Sequence, residues 1–567
     1  MKRITALMLT LLLSFWVTSE QSRACTNFLV TKGATKDGST MITYAADSHV
    51  LYGELYYYPA MKYKAGAMRD VYEWDTGRFL GKIPEAPFTY SVVGNINSCQ
   101  VAIGETTYGG REECHNPEGK MDYGSLIYIS LQRSKNAREA IYNMITLTEK
   151  YGYCSEGESF SISDPNEVWI MEVIGKGPGT LGMSFVARRI PDGYISGHAN
   201  QARIQKFPLA DGKTSITSKE IEKVFNPEVE TVYSFDIADV ARKFGWYNGT
   251  DADFSFSDVF QPITFSGARA CEARVWTGFN KVNSSMGQYL DYAMGQNLKH
   301  RMPLWIKPDN KLSLEDVFGM MRDYFQGTPM DMTQDIGAGP YKCTVRWRPM
   351  TWSVDGVNYI NERAISTQQT GFSFISQSRS WLPDPVGGIL WFGVDDTYYT
   401  VYTPMYCGMT AIPKSFAVGN GDIMTYSETS GFWTFNEVTN FVYSRASVMT
   451  PDLQAKQKEL EHKYMTETAD VDKAAAALYK KSPKKALAYV TDYSVKAGDN
   501  TVSQWRELYK FLFTKYMDGN IKTKNPPKEG YQFVAPTLLQ PGYPEEWYRR
   551  IAEDAGDKIR EPESGGH

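Results

Sequence analysis

Short apolar runs alternate with turn signals through the first two hundred positions. Residues 26–31 and 40–44 are apolar and are separated by Gly33 and by Lys36-Asp37-Gly38, which predicts a hairpin. Residues 90–93 and 101–104 flank Asn95-Ile96-Asn97-Ser98 as a second strand pair. From Ala137 the spacing changes. Ala140, Ile141, Met144, Ile145 and Leu147 fall on one helical face, and Gly152 ends the run. Two more strand pairs follow, 158–163 with 167–174 around Asp164-Pro165-Asn166, and 183–190 with 194–198 around Pro191-Asp192-Gly193. Strands with tight turns and interposed amphipathic helices predict an α+β fold, antiparallel sheets covered by helices.

Residues 300–445 are richer in Trp, Tyr, Pro and Gly, with strand-like pieces at 388–392 and 398–402. After Arg445 the pattern turns helical. Thr450-Pro451 and Ser482-Pro483 can each cap and open a helix, and 472–481, 484–496 and 503–515 read as helices. Pro526-Pro527 begins a loop-like tail with one last helix around 545–555. The expected organisation is a removed leader over 1–24, one domain over 25–448, a helical appendage over 449–520, and a loop-rich tail over 521–567.

The leader has the three parts of an export signal. Lys2 and Arg3 open it, residues 4–17 carry no charge, and a polar stretch leads to Ser22-Arg23-Ala24. Its apolar core falls short of the roughly 20 residues of a membrane-spanning helix. The expected location is periplasmic or extracellular in a bacterium, with no membrane attachment after cleavage. Cleavage after Ala24 would leave Cys25 as the first residue. Its thiol and its free α-amine (pKa about 8) would then form a nucleophile and base on one residue. A lipoprotein signal also ends at a cysteine, and lipidation would block that amine. Ser22-Arg23-Ala24 is a poor lipoprotein box.

Composition narrows the class. Loss of residues 1–24 removes Lys2, Arg3, Arg23 and Glu20, and moves the formal charge from -5 to -7. A mildly acidic, well-mixed surface gives no footprint for nucleic acid. The 37 tyrosines and 13 tryptophans suit an aromatic-lined cleft, and equally suit plain strand packing. Six cysteines besides Cys25 lack CxxC spacing and are expected mostly as buried thiols. The histidines show no zinc spacing, and no cofactor is expected. Gly177-Pro178-Gly179-Thr180-Leu181-Gly182 matches a dinucleotide fingerprint, but residues 183–188 read as strand, so no helix N-terminus follows for a pyrophosphate. Asp251-Ala252-Asp253 lacks the glycine and glutamate of a calcium loop.

Cys25-Thr26-Asn27, Lys36-Asp37-Gly38-Ser39-Thr40-Met41-Ile42 and Asp47-Ser48 resemble the start of the bacterial dipeptidase A-type cysteine peptidases. These are N-terminal-nucleophile hydrolases related to secernins and, more distantly, to bile-salt hydrolases and penicillin V acylase. The resemblance continues through Gly104-Glu105-Thr106-Thr107, Glu167-Val168-Trp169, 186–193 and His198-Ala199-Asn200-Gln201, with weaker matches at 327–331, Arg363-Ala364-Ile365-Ser366 and 404–406. It covers roughly residues 25–445. It implies a four-layer αββα fold, self-exposure of the cysteine or its exposure by leader removal, and dipeptides or other small peptides as substrate. Relatives carry arginine three residues before the Asp47 position, and this chain has Tyr44. A phenol supplies no permanent positive charge to favour thiolate.

Amide hydrolysis needs a nucleophile, a proton shuttle and oxyanion donors. Cys25 supplies the first and its α-amine the second. Asn97 and Asn200 are candidate oxyanion donors, with a turn-forming role as the alternative for each. Asp47 could hold the ammonium form or cap a turn. Arg274, in Ala273-Arg274-Val275-Trp276, resembles a late family arginine and equally suits a structural ion pair. Tyr44 and Glu105 are candidate substrate contacts, and Asp122 is either a third or a helix-start acid. Two other functions compete: an N-terminal-cysteine amidase acting on conjugated bile acids or N-acyl amino acids, and a lipid-anchored binding protein without catalysis.

Overall fold

The computed structural model describes residues 25–562, so the expected leader lies outside the described residues. The first predicted hairpin forms: β1 (Asn27–Val30) and β2 (Thr40–Asp47) pair antiparallel, with Leu29 opposite Ile42. The second differs from expectation. Ile96–Asn97, inside the expected turn, is itself a short strand between Val92–Val93 and β3 (Ala102–Gly109). Helices α1 (Tyr123–Arg133) and α2 (Ala137–Tyr151) follow. Asn136 starts α2 by accepting from Glu139 N at 2.9 Å, and Gly152, at φ 77°, ends it.

Strands β4 (Gly157–Ser163), β5 (Val168–Ile174) and β6 (Ser184–Arg189) then form a meander, and β7 (Ile195–His198) leaves it. The sequence set 183–190 and 194–198 around one turn as a pair. They belong to different sheets, because β6 pairs with β5 while β7 pairs with β1, His198 opposite Asn27. Pro191-Asp192-Gly193 is therefore a corner between sheets. Gly33 packs into it, donating its N–H to Asp192 Oδ1 at 2.7 Å, and a Cβ there would lie 2.7 Å from Gly193 N. The fingerprint-like stretch 177–182 is a loop between strands, as its flanks imply.

Farther along lie α3 (Ala273–Val282), β8 (Thr370–Ser378), β9 (Gly388–Val394) and β10 (Thr403–Tyr406). The expected strand at 398–402 is absent. That stretch is an irregular connection, and β10 begins just after it. One seven-stranded sheet runs Trp305–Ile306, β7, β1, β2, β8, β9, β10. A nine-stranded sheet runs Ser215–Thr217, Thr231–Tyr233, β6, β5, β4, β3, Ile96–Asn97, Val92–Val93, Tyr57–Tyr58.

Alternation along β5 shows how the layers stack. Trp169, Met171 and Val173 join the apolar cluster of α1 and α2, while Val168, Ile170 and Ile174 join the cluster that includes Phe28 and Ile42 of the other sheet. His198 bridges the two sheets. Its ring lies 2.7 Å from Thr106 Oγ1 and 2.8 Å from Ser161 Oγ, and burial with Arg203 nearby drives its pKa down to about 3.

On the β9–β10 side the seven-stranded sheet is covered by α4 (Gly431–Tyr443), α5 (Ala446–Lys481) and α6 (Pro483–Tyr516). The helices expected as separate pieces merge into these long ones. α5 begins four residues before Thr450, and Pro451 lies inside it, whereas Ser482-Pro483 does open α6. Leu453, Leu460 and Trp505 belong to the same cluster as Trp391 and Met405, so the helices over 449–520 share the core of the sheet. Asp472 of α5 ties this packing together, accepting from Arg379 and from Tyr406 Oη. All seven cysteines are free thiols.

Candidate active site

The Thr26–Ala45 bridge places Cys25 just ahead of β1 and alongside the end of β2. On its other edge β2 pairs with β8, and a bulge falls between Ala46 and Asp47. Bulges turn the following side chain out of register. The Asp47 carboxylate accepts from Arg363 Nη2 and from Thr370 Oγ1, both at 2.6 Å, with Arg363 and Asp47 buried. The sequence offered Asp47 as a holder of the ammonium form or as a turn cap. Its charge is instead committed to Arg363.

A cleft of about 360 Å³ opens over Cys25, in the size range of small-ligand sites. Cys25, Tyr44, Asp47, Glu105 and Thr107 line it together with aromatic and aliphatic side chains and with Ser48, Asp75, Thr76 and Asn95. The Cys25 thiol lies 3.8 Å from Tyr44 Oη and 3.9 Å from Glu105 Oε1. Tyr44 donates its hydroxyl to that same carboxylate oxygen, and its ring meets Phe372 and Phe374 edge-on at 5.7 Å. The Tyr44 phenol therefore links thiol and carboxylate.

Burial pushes the Cys25 thiol well above its ordinary pKa, and the charges of Glu105 and Asp47 add to the rise. The Asp47 backbone N–H and the Tyr44 hydroxyl act the other way. Burial, followed by the proximity of Cys25 and Glu105, keeps Tyr44 a neutral phenol. These influences together favour the protonated form of the Cys25 thiol. Among the described residues lining the cleft there is no histidine, lysine or arginine, while Asp47, Asp75 and Glu105 are all present.

Behind the thiol, Arg274 of α3 knits the segments together. It donates to Cys25 O at 2.6 Å, Thr26 Oγ1 at 2.9 Å, Ala199 O at 3.1 Å and Asn200 Oδ1 at 2.8 Å. Burial, with Arg363 nearby, lowers its pKa to about 10. Asn200 adopts φ 61°, a left-handed conformation that asparagine tolerates, and its Nδ2 donates to Thr107 O at 2.5 Å. The Cys25 carbonyl is thereby linked through Arg274 and Asn200 to the strand that carries Glu105.

Of the two candidate asparagines only Asn200 reaches this network. Asn97 gives its Nδ2 hydrogens to Leu131 O at 2.6 Å and Ser134 O at 2.7 Å, and its Oδ1 accepts from Cys99 N and Val101 N. Every hydrogen-bonding position of its amide is occupied by backbone groups at the end of the short Ile96–Asn97 strand, and it does not line the cleft. Asp122 is a helix cap, accepting from Ser125 N and Gly124 N. Sequence reasoning did not single out Arg363, which sits in a weakly matching segment 316 residues from its partner Asp47. Nor did it mark Trp74, Tyr56 and Tyr128, which line the cleft.

The profile of peptidase family C69 matches residues 54–459. A probable dipeptidase of Latilactobacillus sakei is 24% identical over 403 residues, covering 68% of this chain and 74% of its own. A probable dipeptidase B of Streptococcus pyogenes serotype M1 is 20% identical over 530 residues, 89% of this chain and 96% of its own. A probable dipeptidase A from the same serotype is 23% identical over 434 residues, 73% and 80% of the two chains. The matched span begins beyond Cys25 and Asp47, yet it takes in Glu105, Asn200, Arg274 and Arg363, and by its extent the chain belongs to peptidase family C69.

Proposed function

We propose that this protein is an exported cysteine dipeptidase whose nucleophile is Cys25 at the head of the mature chain. The observation that carries the reading is a buried thiol lining a small cleft in which, among the described lining residues, there is no histidine or lysine. An α-amine on Cys25 itself would supply the missing base. Glu105, with Oε1 3.9 Å from the thiol, is placed to hold that amine or the substrate's own ammonium. The two stacked sheets with helices on their outer faces suit the αββα arrangement of N-terminal-nucleophile hydrolases.

In this mechanism the amine takes the thiol proton as sulfur attacks the substrate carbonyl. Asn200 keeps one Nδ2 hydrogen beyond the one given to Thr107 O, and this is the proposed oxyanion donor. Collapse breaks the C–N bond, the departing amine takes the proton back, and the acyl group remains on Cys25 as a thioester. Water then attacks the thioester, releasing the carboxylic acid and the thiol. The printed names of the relatives, probable dipeptidases A and B, support a small-peptide substrate.

The test is to compare protein beginning at Cys25 with protein carrying residues 1–24 or one extra residue. The trimmed form hydrolyses dipeptides and the extended forms are nearly inactive. Equal turnover in both would assign the base to a side chain, with Glu105 first in line.

A further inference from the structure

The aromatic side of the cleft is built by a separate device. Met68–Tyr72 and Phe79–Pro84 form an antiparallel hairpin, and Trp74 lies at its tip, half-buried on the cleft wall. The tip is fastened to the start of α1. Trp74 N donates to Asp122 Oδ2 at 2.9 Å, the acid that also caps the helix, and Tyr123 Oη donates to Asp75 Oδ1 at 3.0 Å. Ser125 Oγ donates to Tyr72 O at 2.7 Å. A Cβ on Gly124 would lie 2.5 Å from Cβ and Cγ of Trp74, so only glycine admits the tryptophan at this spot. The indole stacks on Tyr128, centroids 4.7 Å apart and planes 28° apart, and meets the edge of Tyr56 at 4.7 Å.

Three rings are thus held rigidly in one wall of the cleft that has Cys25 at its floor. Glu105 and Tyr44 beside the thiol provide for charged and hydrogen-bonding parts of a ligand. Aromatic faces gain by burying an apolar side chain and offer large contact area at low entropy cost, while Asp75 and Thr76 keep the rim of this wall polar. Resting on the peptidase reading above, we propose that Trp74 is a specificity-determining residue. It recognises an aromatic or branched aliphatic side chain of the dipeptide, and Asp122 and Gly124 act as positioning residues for its indole.

Trp74→Ala should lower kcat/KM for phenylalanine- or leucine-containing dipeptides about tenfold or more, chiefly through KM, and leave Ala-Ala within about twofold. Gly124→Ala, which displaces the indole without removing it, should shift the same ratio in the same direction. Equal losses on both substrate classes, or no loss on the aromatic one, would overturn the assignment. Calorimetric binding of the same dipeptides to Cys25→Ala and to Cys25→Ala/Trp74→Ala separates this idea from the catalytic one. If wild type cleaves no dipeptide but the first variant binds Phe-containing dipeptides in a Trp74-dependent way, the turnover reading fails and the wall stands. If binding does not depend on Trp74, the wall fails whatever the turnover.

Discussion

Glu105 and Thr106 are neighbours on β3, and they serve two polar centres of opposite character. Thr106 meets His198, which also meets Ser161, and the three close on one another between the sheets. The imidazole there is held neutral and has nothing left to offer a ligand. Glu105 meets Tyr44 and the Cys25 thiol at the floor of an open cleft. Both centres bury polar groups, so burial alone does not mark a reactive site. What differs is whether the polar atoms face only each other or face space that a substrate can occupy.

The strongest way to break this contrast is at the thiol. Cys25→Ala should abolish dipeptide turnover, a loss on the order of 10⁴-fold or more, while the thermal transition stays in place. Full turnover in that variant would remove the cleft from consideration. Next comes Asn200→Ala, for which kcat should fall about 10²–10³-fold with little change in KM, because an oxyanion donor acts on the transition state. Single-turnover kinetics on a dipeptide would show it.

The adjacent pair then gives the direct comparison. Glu105→Gln should lower kcat/KM for free dipeptides by about 10- to 100-fold, the scale of a hydrogen bond to a charged group, and affect N-acetyl dipeptides less. Thr106→Val should leave turnover alone. It costs about 1–3 kcal/mol in denaturant unfolding, since His198 Nδ1 loses its partner in the core. If Thr106→Val harmed turnover as much as Glu105→Gln, the two centres would not be separable.

The smallest effect concerns a third buried group, the Asp395-Asp396 corner after β9. Burial raises both carboxyls, to about 7 for Asp395 and about 6 for Asp396, whose carboxylate accepts from Tyr443 Oη at 2.7 Å. A carboxyl raised in the folded state stabilises it fully below the unfolded value near 4. That contribution is lost as pH climbs through the folded values. Melting temperature should therefore fall by roughly a few degrees between pH 5 and pH 8. Asp395→Asn, at a position with φ 68° that asparagine accepts, should flatten that dependence. An unchanged slope would assign the pH response elsewhere.

What the sequence revealed was mostly local. The first hairpin, α2 with its Asn136 and Gly152 ends, and the start of α6 at Ser482-Pro483 rest on contacts within a few residues, and periodicity reports those. Cys25 was legible because of its position after a leader-like stretch. Asn97 and Asn200 looked alike as strand-end asparagines, and only the distant groups they bond, Leu131 and Ser134 against Arg274 and Thr107, distinguish them. The partner of Asp47 lies 316 residues away, and no local spacing encodes it. Trp74 was missed because its hairpin is largely exposed, so no apolar alternation announced it. The assignment of β6 and β7 to different sheets also depended on partners far along the chain.

The pairing of β2 with β8 sets a clock on the molecule. Tyr44 and Asp47 reach their final surroundings only when residues 363–378 arrive to pair with them. Arg274 must likewise arrive before the Cys25 carbonyl has its donor. Chains emerge from the ribosome N-terminus first, at about 5–20 residues per second. Cys25 is thus made near the outset, and its setting is completed only after about two-thirds of the chain exists. For the greater part of synthesis, Cys25 lacks the partners that surround it in the finished fold.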